Sequence, residues 1–494
     1  MTPVATCVLW LCATDHRVCA IVTISICLVT HMLLATALSF ALAFQPDPGA
    51  RAILDTALSR MGGVAALRSV ERMQLDVMTE WQRLEFASRG GGGPVILSYE
   101  LSTELRDYTL PAWRYSRRFY SPNGVSGVVD LVVDSVAAMQ LDGRWRAQNV
   151  AYVDERDEVF TFAPERVVYL AREAADARAV PDTTIDGVRY ARVVATIGRF
   201  SPTLYFRAGD GLLALARFRA AQPNDFGLAP WGAMEVEIAY SRWQHLAGST
   251  LVLPVQLDVR RVGRPYKRMT TISARVNPAI PADSFVVADS LRQSFLATAR
   301  KPMFDIPVDS ARIISDAFVA FGAPGTPAGA IRIGGRWLVV EAGTAPLSID
   351  RSVSALRRLD PGTAIAGALI TAPTGAGGMA WLARQAMPTW IASAARPYVE
   401  AALRGWSVNG TMLRALSGSR WLRVGSDSLR VETVDLPDYP GTPIVYVPAL
   451  RWAYAWPPGA VQVDRVFAYI RERGWRVDRV GSARTFTGVP LPAN

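Results

Sequence analysis

The stretch Ala364–Met379, AIAGALITAPTGAGGM, constrains this chain more than any other. Its apolar run from Ile365 to Ile370 has the length of a buried strand and is bounded by Pro361-Gly362 and Pro373. The run breaks into Thr-Ala-Pro-Thr-Gly-Ala-Gly-Gly, and helix-like spacing returns over Met379–Ala386. A tight loop between a buried strand and a helix is where α/β proteins keep their chemistry, because a rigid scaffold holds the loop.

The flanking segments extend the pattern. Ser348–Leu359 is amphipathic, with Ile349, Val353, Leu356 and Leu359 apolar, and predicts a helix. Thr389–Ala392 reads as a short strand, Arg396–Leu403 as a helix, and Ser428–Leu436 with Pro443–Pro448 as a hairpin. Val463–Arg473 is the clearest helix, with Val463, Val466, Phe467 and Ile470 on one face and Gly474 as its stop. Trp475–Val480 reads as a further strand.

This order resembles the metallo-β-lactamase family, whose signature strand and loop read Thr-His-x-His-x-Asp-His-x-Gly-Gly. Thr371, Gly377 and Gly378 match the ends of that motif; Ala372, Pro373 and Thr374 stand where metal ligands would be, and the loop is shorter. Arg336–Gly343 resembles the family's strand ending in Val-Asp-x-Gly, with Glu341 at the acidic position. Family members place a metal-bridging aspartate soon after a Tyr-x-Pro turn like Tyr446-Val447-Pro448; here Ala453-Tyr454-Ala455-Trp456 follows. Gly481-Ser482-Ala483-Arg484 occupies the place of the last histidine. The resemblance implies an αββα sandwich over residues 310–494 that has lost its metal site and carries no cofactor.

Composition argues the same way. A dizinc hydrolase needs several imidazoles and a carboxylate, since each zinc takes about four N, O or S ligands. The chain has three histidines, and His16 and His31 lie in the leader, leaving His245 in the first half. No Asp-x-Asp-x-Asp run of the calcium type exists; Asp435-Leu-Pro-Asp438 reads as a solvated turn before Pro440-Gly441. A serine hydrolase would need a base for which only His245 is the usual type, and no Gly-x-Ser-x-Gly elbow accompanies it. If activity exists, Glu341 with Asp435 or Asp438 is the candidate carboxylate set.

The first half is β-rich. Asp47-Pro48 is an N-cap followed by proline at the first helical position, and Ile53, Leu54, Ala57, Leu58 and Met61 carry helical spacing up to Gly62-Gly63. Strand-like segments follow at 73–79, 95–104, 113–120, 125–133 and 136–141, then a partly helical stretch at 154–178. Strands resume at 188–197, 202–207, 212–219, 233–243, 251–261 and 266–276, with Asp142-Gly143, Asp186-Gly187 and Gly209-Asp-Gly211 as hairpin signals. Gly90–Gly93 lacks the Gly-Lys-Ser/Thr ending of a phosphate loop and reads as a hairpin tip. The sum predicts an antiparallel curved sheet or half-barrel with a helix. It resembles the LolA-like periplasmic lipoprotein carriers in Met61-Gly-Gly-Val-Ala-Ala-Leu-Arg68, Glu235-Val-Glu-Ile-Ala-Tyr-Ser-Arg-Trp243, His245–Pro254 and Val276-Asn277. That resemblance implies a concave apolar face able to hold a lipid, beside the plainer reading of a core packed on its own helix.

Ile21–Phe44 is 24 residues without a formal charge, and Ala41-Leu-Ala43 suits signal-peptidase cleavage. The expectation is an exported, periplasmic or secreted chain with residues 1–43 removed; the alternative is inner-membrane anchoring by 21–44. All four cysteines lie in this leader, so the remaining chain has no disulfide and no thiolate site. The net charge of +10 comes from scattered arginines, with Lys267 and Lys301 the only lysines, and no basic stripe points to nucleic acid. Ala297–Asp309, with two prolines and both charge signs, reads as a linker between domains at 44–296 and 310–494.

The function expected is therefore a binding or scaffolding role at the cell envelope, for an apolar ligand, a lipid or a partner protein. The competing expectation is a hydrolase working through carboxylates or a non-zinc metal. The cleft beside Thr371–Gly378 separates them: convergent polar groups favour the enzyme, and filling by Trp381, Trp452 and Trp456 favours the scaffold.

Overall fold

A computed structural model describes residues 47–82, 96, 98–121, 124–221, 232–299, 311–321, 328–343, 346–371, 378–410, 412–436, 439–456, 460–482 and 485–492. The expected leader, the Gly90–Gly93 turn and most of the 297–309 segment lie outside them. No helix among the described residues is long and apolar enough to cross a membrane.

Helix α1 (Pro48–Arg60) begins where Asp47 accepts the Gly49 N–H at 2.9 Å, and α2 (Val64–Arg68) follows Gly62-Gly63. Strands β1 (Arg72–Trp81), β2 (Ser98–Asp107), β3 (Ala112–Ser121), β4 (Gly124–Val133), β5 (Val136–Leu141) and β6 (Arg144–Ala147) form one meander. Helices α3 (Ala151–Thr161) and α4 (Pro164–Glu173) interrupt the chain. A second meander runs through β7 (Arg178–Ile185), β8 (Val188–Val194), β9 (Thr203–Arg207), β10 (Leu213–Ala221), β11 (Ala233–His245), β12 (Val252–Arg261) and β13 (Arg264–Val276). Antiparallel pairing of β1 with β13 joins both into one thirteen-stranded sheet. The partly helical stretch expected at 154–178 is thus two helices and the start of β7.

The sheet curls. Helix α3 touches β4 and β5, yet its Glu158 accepts from Arg261 of β12 at 2.6 Å. From β4 to β12 is five strand spacings, roughly 24 Å if flat, against a helix roughly 10 Å across. Only a sheet wrapped around the helix satisfies both contacts. The apolar core lies on this inner face, where α1, α2 and α4 meet Met73, Leu75 and Val77 of β1 and Val236, Ile238 and Tyr240 of β11. Strand β2 runs against that pattern: Glu100, Ser102, Glu104 and Arg106 are buried, while Tyr99 and Leu101 face out at 47% and 44% exposure.

Helix α5 (Asp289–Ser294) and the turn after it keep Phe295 buried against Trp113 and Tyr115, so the core of the first half extends that far. In the second half, β14 (Ala311–Ser315), β15 (Phe318–Phe321), β16 (Ala328–Ile333) and β17 (Arg336–Val340) pair antiparallel. Helix α6 (Pro346–Leu359), β18 (Ile365–Ile370), α7 (Met379–Arg384), β19 (Thr389–Ala392), α8 (Arg396–Gly405) and β20 (Leu413–Leu416) follow, with β17 to β20 parallel. The second sheet holds β21 (Ser419–Val424), β22 (Asp427–Leu436), β23 (Tyr439–Val447), β24 (Trp452–Ala455), β25 (Arg479–Gly481) and β26 (Val489–Pro490), with α9 (Ala460–Glu472) before β25.

Side-chain alternation sets the layers. In β17, Trp337 and Val339 join the core under α6–α8, and Leu338 and Val340 join the core between the sheets. In β24, Trp452 and Tyr454 face the inter-sheet core, and Ala453 and Ala455 face α9. The order is helix, sheet, sheet, helix. The strand expected at 475–480 is confined to 479–481, because Trp475 instead stacks on Tyr446 at 4.7 Å between ring centres.

Candidate functional site

The motif strand leads to a packed polar pair. Glu341, just past β17, is fully buried in left-handed backbone at φ 64°, a conformation uncommon for a residue with a side chain. Its N–H donates to the Leu369 carbonyl at 2.9 Å, which pins it beside the end of β18. There the Thr371 N–H donates to the Glu341 carboxylate at 3.1 Å, and the Thr371 hydroxyl donates to the same oxygen. Burial, and then the Glu341 charge beside it, hold the Tyr454 phenol well above its ordinary pKa.

Bulk surrounds this group. Trp452 and Tyr454 stack at 5.6 Å, and Phe486 and Phe318 meet Trp452 edge-on at 5.8 and 5.5 Å. Trp456 belongs to the same inter-sheet core, whereas Trp381 packs on the far side of the first sheet, under the helices. Gly378 ends the loop by close approach: a Cβ there would stand 2.2 Å from the Ala342 carbonyl oxygen and 2.6 Å from Ile349. A Cβ at Gly481 would meet the Phe486 carbonyl oxygen at 2.5 Å and the Tyr454 ring at 2.7 Å.

The other expected site residues lie elsewhere. Asp435 accepts the Gly441 N–H at 2.8 Å and closes the β22–β23 turn. Ala372, Pro373, Thr374, Gly377 and Asp438 lie outside the described residues. Among the described residues no three His, Cys, Asp or Glu side chains converge to hold a metal. His245 is exposed at the end of β11, paired across the ladder with Val252.

A different site opens on the inner face of the curled sheet. A cavity of about 340 Å³ lies between β1, β12, β13 and the start of α4. Leu75, Val77, Leu253, Val255, Leu257 and Met269 form its apolar wall. The opposite wall holds Arg106 and Glu165, both buried. Arg106 donates to Glu104 at 2.6 Å and lies 3.6 Å from Glu165, whose other partner is the Tyr108 hydroxyl. His245 stands among the lining residues.

Next to it lies a second buried ionic group. Arg117 bridges Asp130 at 2.5 Å and Glu100 at 3.6 Å. Trp81 donates its indole N–H to Glu100 at 3.2 Å, and Tyr115 donates its hydroxyl. Burial pushes the Glu100 carboxyl up to about 7 and Asp130 up to about 6, in both cases against the pull of Arg117.

Sequence reasoning did not single out these inner charges. Their only local signal is the alternation of Glu100, Ser102, Glu104 and Arg106, which looks like the solvated face of an ordinary strand.

No family model and no curated protein matches the chain. Among solved structures, it is similar to a domain described as an outer membrane lipoprotein-sorting protein from Vibrio parahaemolyticus. The match has 8% identity, 47% of this chain, 95% of that one and a TM-score of 0.31. It is also similar to a LolA superfamily protein from Nitrosomonas europaea, at 11% identity, 49% of this chain, 99% of that one and a TM-score of 0.29. A third is a metallo-β-lactamase from Pontibacter korlensis, at 12% identity, 35% of this chain, 90% of that one and a TM-score of 0.29.

Proposed function

We propose that this chain is an exported binding protein of the cell envelope, in which a first domain at residues 47–299 holds an apolar ligand or lipid. The second domain, from residue 311 on, is its scaffold and does not hydrolyse by a metal-bound hydroxide. The observation that carries the reading is the 340 Å³ cavity, whose apolar wall comes from three adjacent strands and stands open instead of being filled by α4. A cavity of that size is at the small end of ligand pockets, and burying an apolar chain against such a wall contributes about 0.8 kcal/mol per CH₂. Arg106 and Glu165 opposite would orient a polar head.

The scaffold reading rests on the space between the sheets. Glu341 bonds Thr371 there, and Trp452, Tyr454, Trp456 and Phe486 fill the volume beside it. Elemental mass spectrometry of the untagged chain, grown with zinc, should find below about a tenth of an equivalent of metal. A stoichiometric metal would revive the hydrolase reading.

The binding reading is tested by solvent extraction of the purified chain, mass spectrometry of the extract, and titration with a fluorescent fatty acid. Met269→Trp adds bulk to the cavity and should weaken that binding by about tenfold or more while melting is unchanged. Binding that survives the substitution would place the lipid elsewhere; no binding by either chain would end the reading.

A further inference from the structure

A smaller cavity of about 240 Å³ lies on the other side of α4, where the end of α3 meets the turn between β8 and β9. Glu165 faces the cavity described above; the next residue, Arg166, faces this one. Phe160 and Phe200 supply apolar walls, and Thr161, Asp157, Arg166 and Arg199 supply the polar ones.

The charges do not balance. Arg199 donates to the Asp154 carboxylate at 2.7 Å, and Asp157 is taken by Arg156 at 2.8 Å. Arg166 has no carboxylate partner among the described residues. Its guanidinium lies 4.3 Å over the Tyr108 ring, which fixes its position, and its Nε is buried without a hydrogen-bond acceptor among those residues. The guanidinium fork matches a carboxylate bidentately.

We infer that this cavity is a binding site for a monoanionic carboxylate attached to one aromatic or branched apolar group, with Arg166 as its counter-charge. One uncompensated guanidinium neutralises one negative charge; a phosphate dianion would leave a second one in a pocket walled by phenyl rings. The volume admits a single side chain with its carboxylate. The same chemistry comes from a free aromatic acid or from the C-terminal residue of a peptide.

Calorimetric titration of the full chain with 3-phenylpropionate and with its amide tests the site without any substitution. The acid should bind, and the amide about tenfold or more weaker. Equal binding of the two, or no binding of the acid at millimolar concentration, would overturn the inference. Arg166→Met keeps an apolar stem over Tyr108 and should reduce acid binding by a similar factor, with Arg166→Lys intermediate; undiminished binding by the methionine variant would also overturn it. A peptide ending in Phe that outcompetes the free acid, and loses that advantage when amidated, identifies the source as a chain terminus. The reverse order identifies a free acid. Inorganic phosphate should not compete.

Discussion

At the scale of single residues, two sites carry strong expectations. Gly481 is held by ring and carbonyl contacts, so Gly481→Ala should destabilise the second half by about 1–3 kcal/mol, measured by urea unfolding. Any larger side chain at this position would collide with the Tyr454 ring and the Phe486 carbonyl oxygen. The second site is Glu100 and Asp130. Both carboxyls lie above the ordinary range, so their contribution to stability is fully present below about pH 4. It is lost as pH rises through about 6 for Asp130 and about 7 for Glu100. Asp47, Asp76, Asp107 and Asp176 are shifted down and act in the opposite sense only under more acidic conditions. The urea midpoint of the first half should therefore fall between about pH 5 and pH 8, and Glu100→Gln should flatten that slope. A midpoint that rises across this window would contradict the burial described for the pair.

At the scale of elements, Asn277 shows how a local signal and a long-range contact meet. It sits at φ 47°, a conformation asparagine tolerates better than most residues. Its carboxamide accepts the Glu71 and Arg72 N–H groups at 2.9 and 3.0 Å and donates to the Ser69 carbonyl at 2.7 Å. It clamps the seam where the two meanders join. Asn277→Ala should lower stability by about 1–3 kcal/mol and raise hydrogen exchange at the adjoining ends of β1 and β13. Elements with strong periodicity or turn chemistry were legible in advance: α1 from Asp47-Pro48, α9 from its apolar face, and the hairpins at Asp142-Gly143 and Asp186-Gly187. Strands β6, β20 and β26 were not, since segments so short carry almost no period; β19, equally short, was read from its place between two helices. The C-terminal sequence Trp475–Asp478 misled because its apolar residues serve a ring stack rather than a ladder. Of the candidate site, the loop ends Thr371 and Gly378 were visible. The cavity wall was not, because it is assembled from strands nearly two hundred residues apart in sequence.

At the scale of the whole molecule, the apolar clusters divide cleanly. One group draws only on residues before 300, and the others only on residues after 310. Two cooperative unfolding transitions are expected by calorimetry, and a fragment spanning 47–299 should keep the circular dichroism and melting of its own transition. A single transition would mean that the contact of α8 with β11 couples the halves more strongly than their cores suggest. The inverted strand β2 bears on how such a chain reaches its fold at all. A slip of one residue would turn Tyr99 and Leu101 inward and release Glu100, Glu104 and Arg106 to water, which hydropathy alone would reward. What opposes the slip is ion pairing with β3 and α4, which only the native register of β2 makes. The face that β2 turns inward is thereby decided by charges on two other elements and not by its own hydropathy.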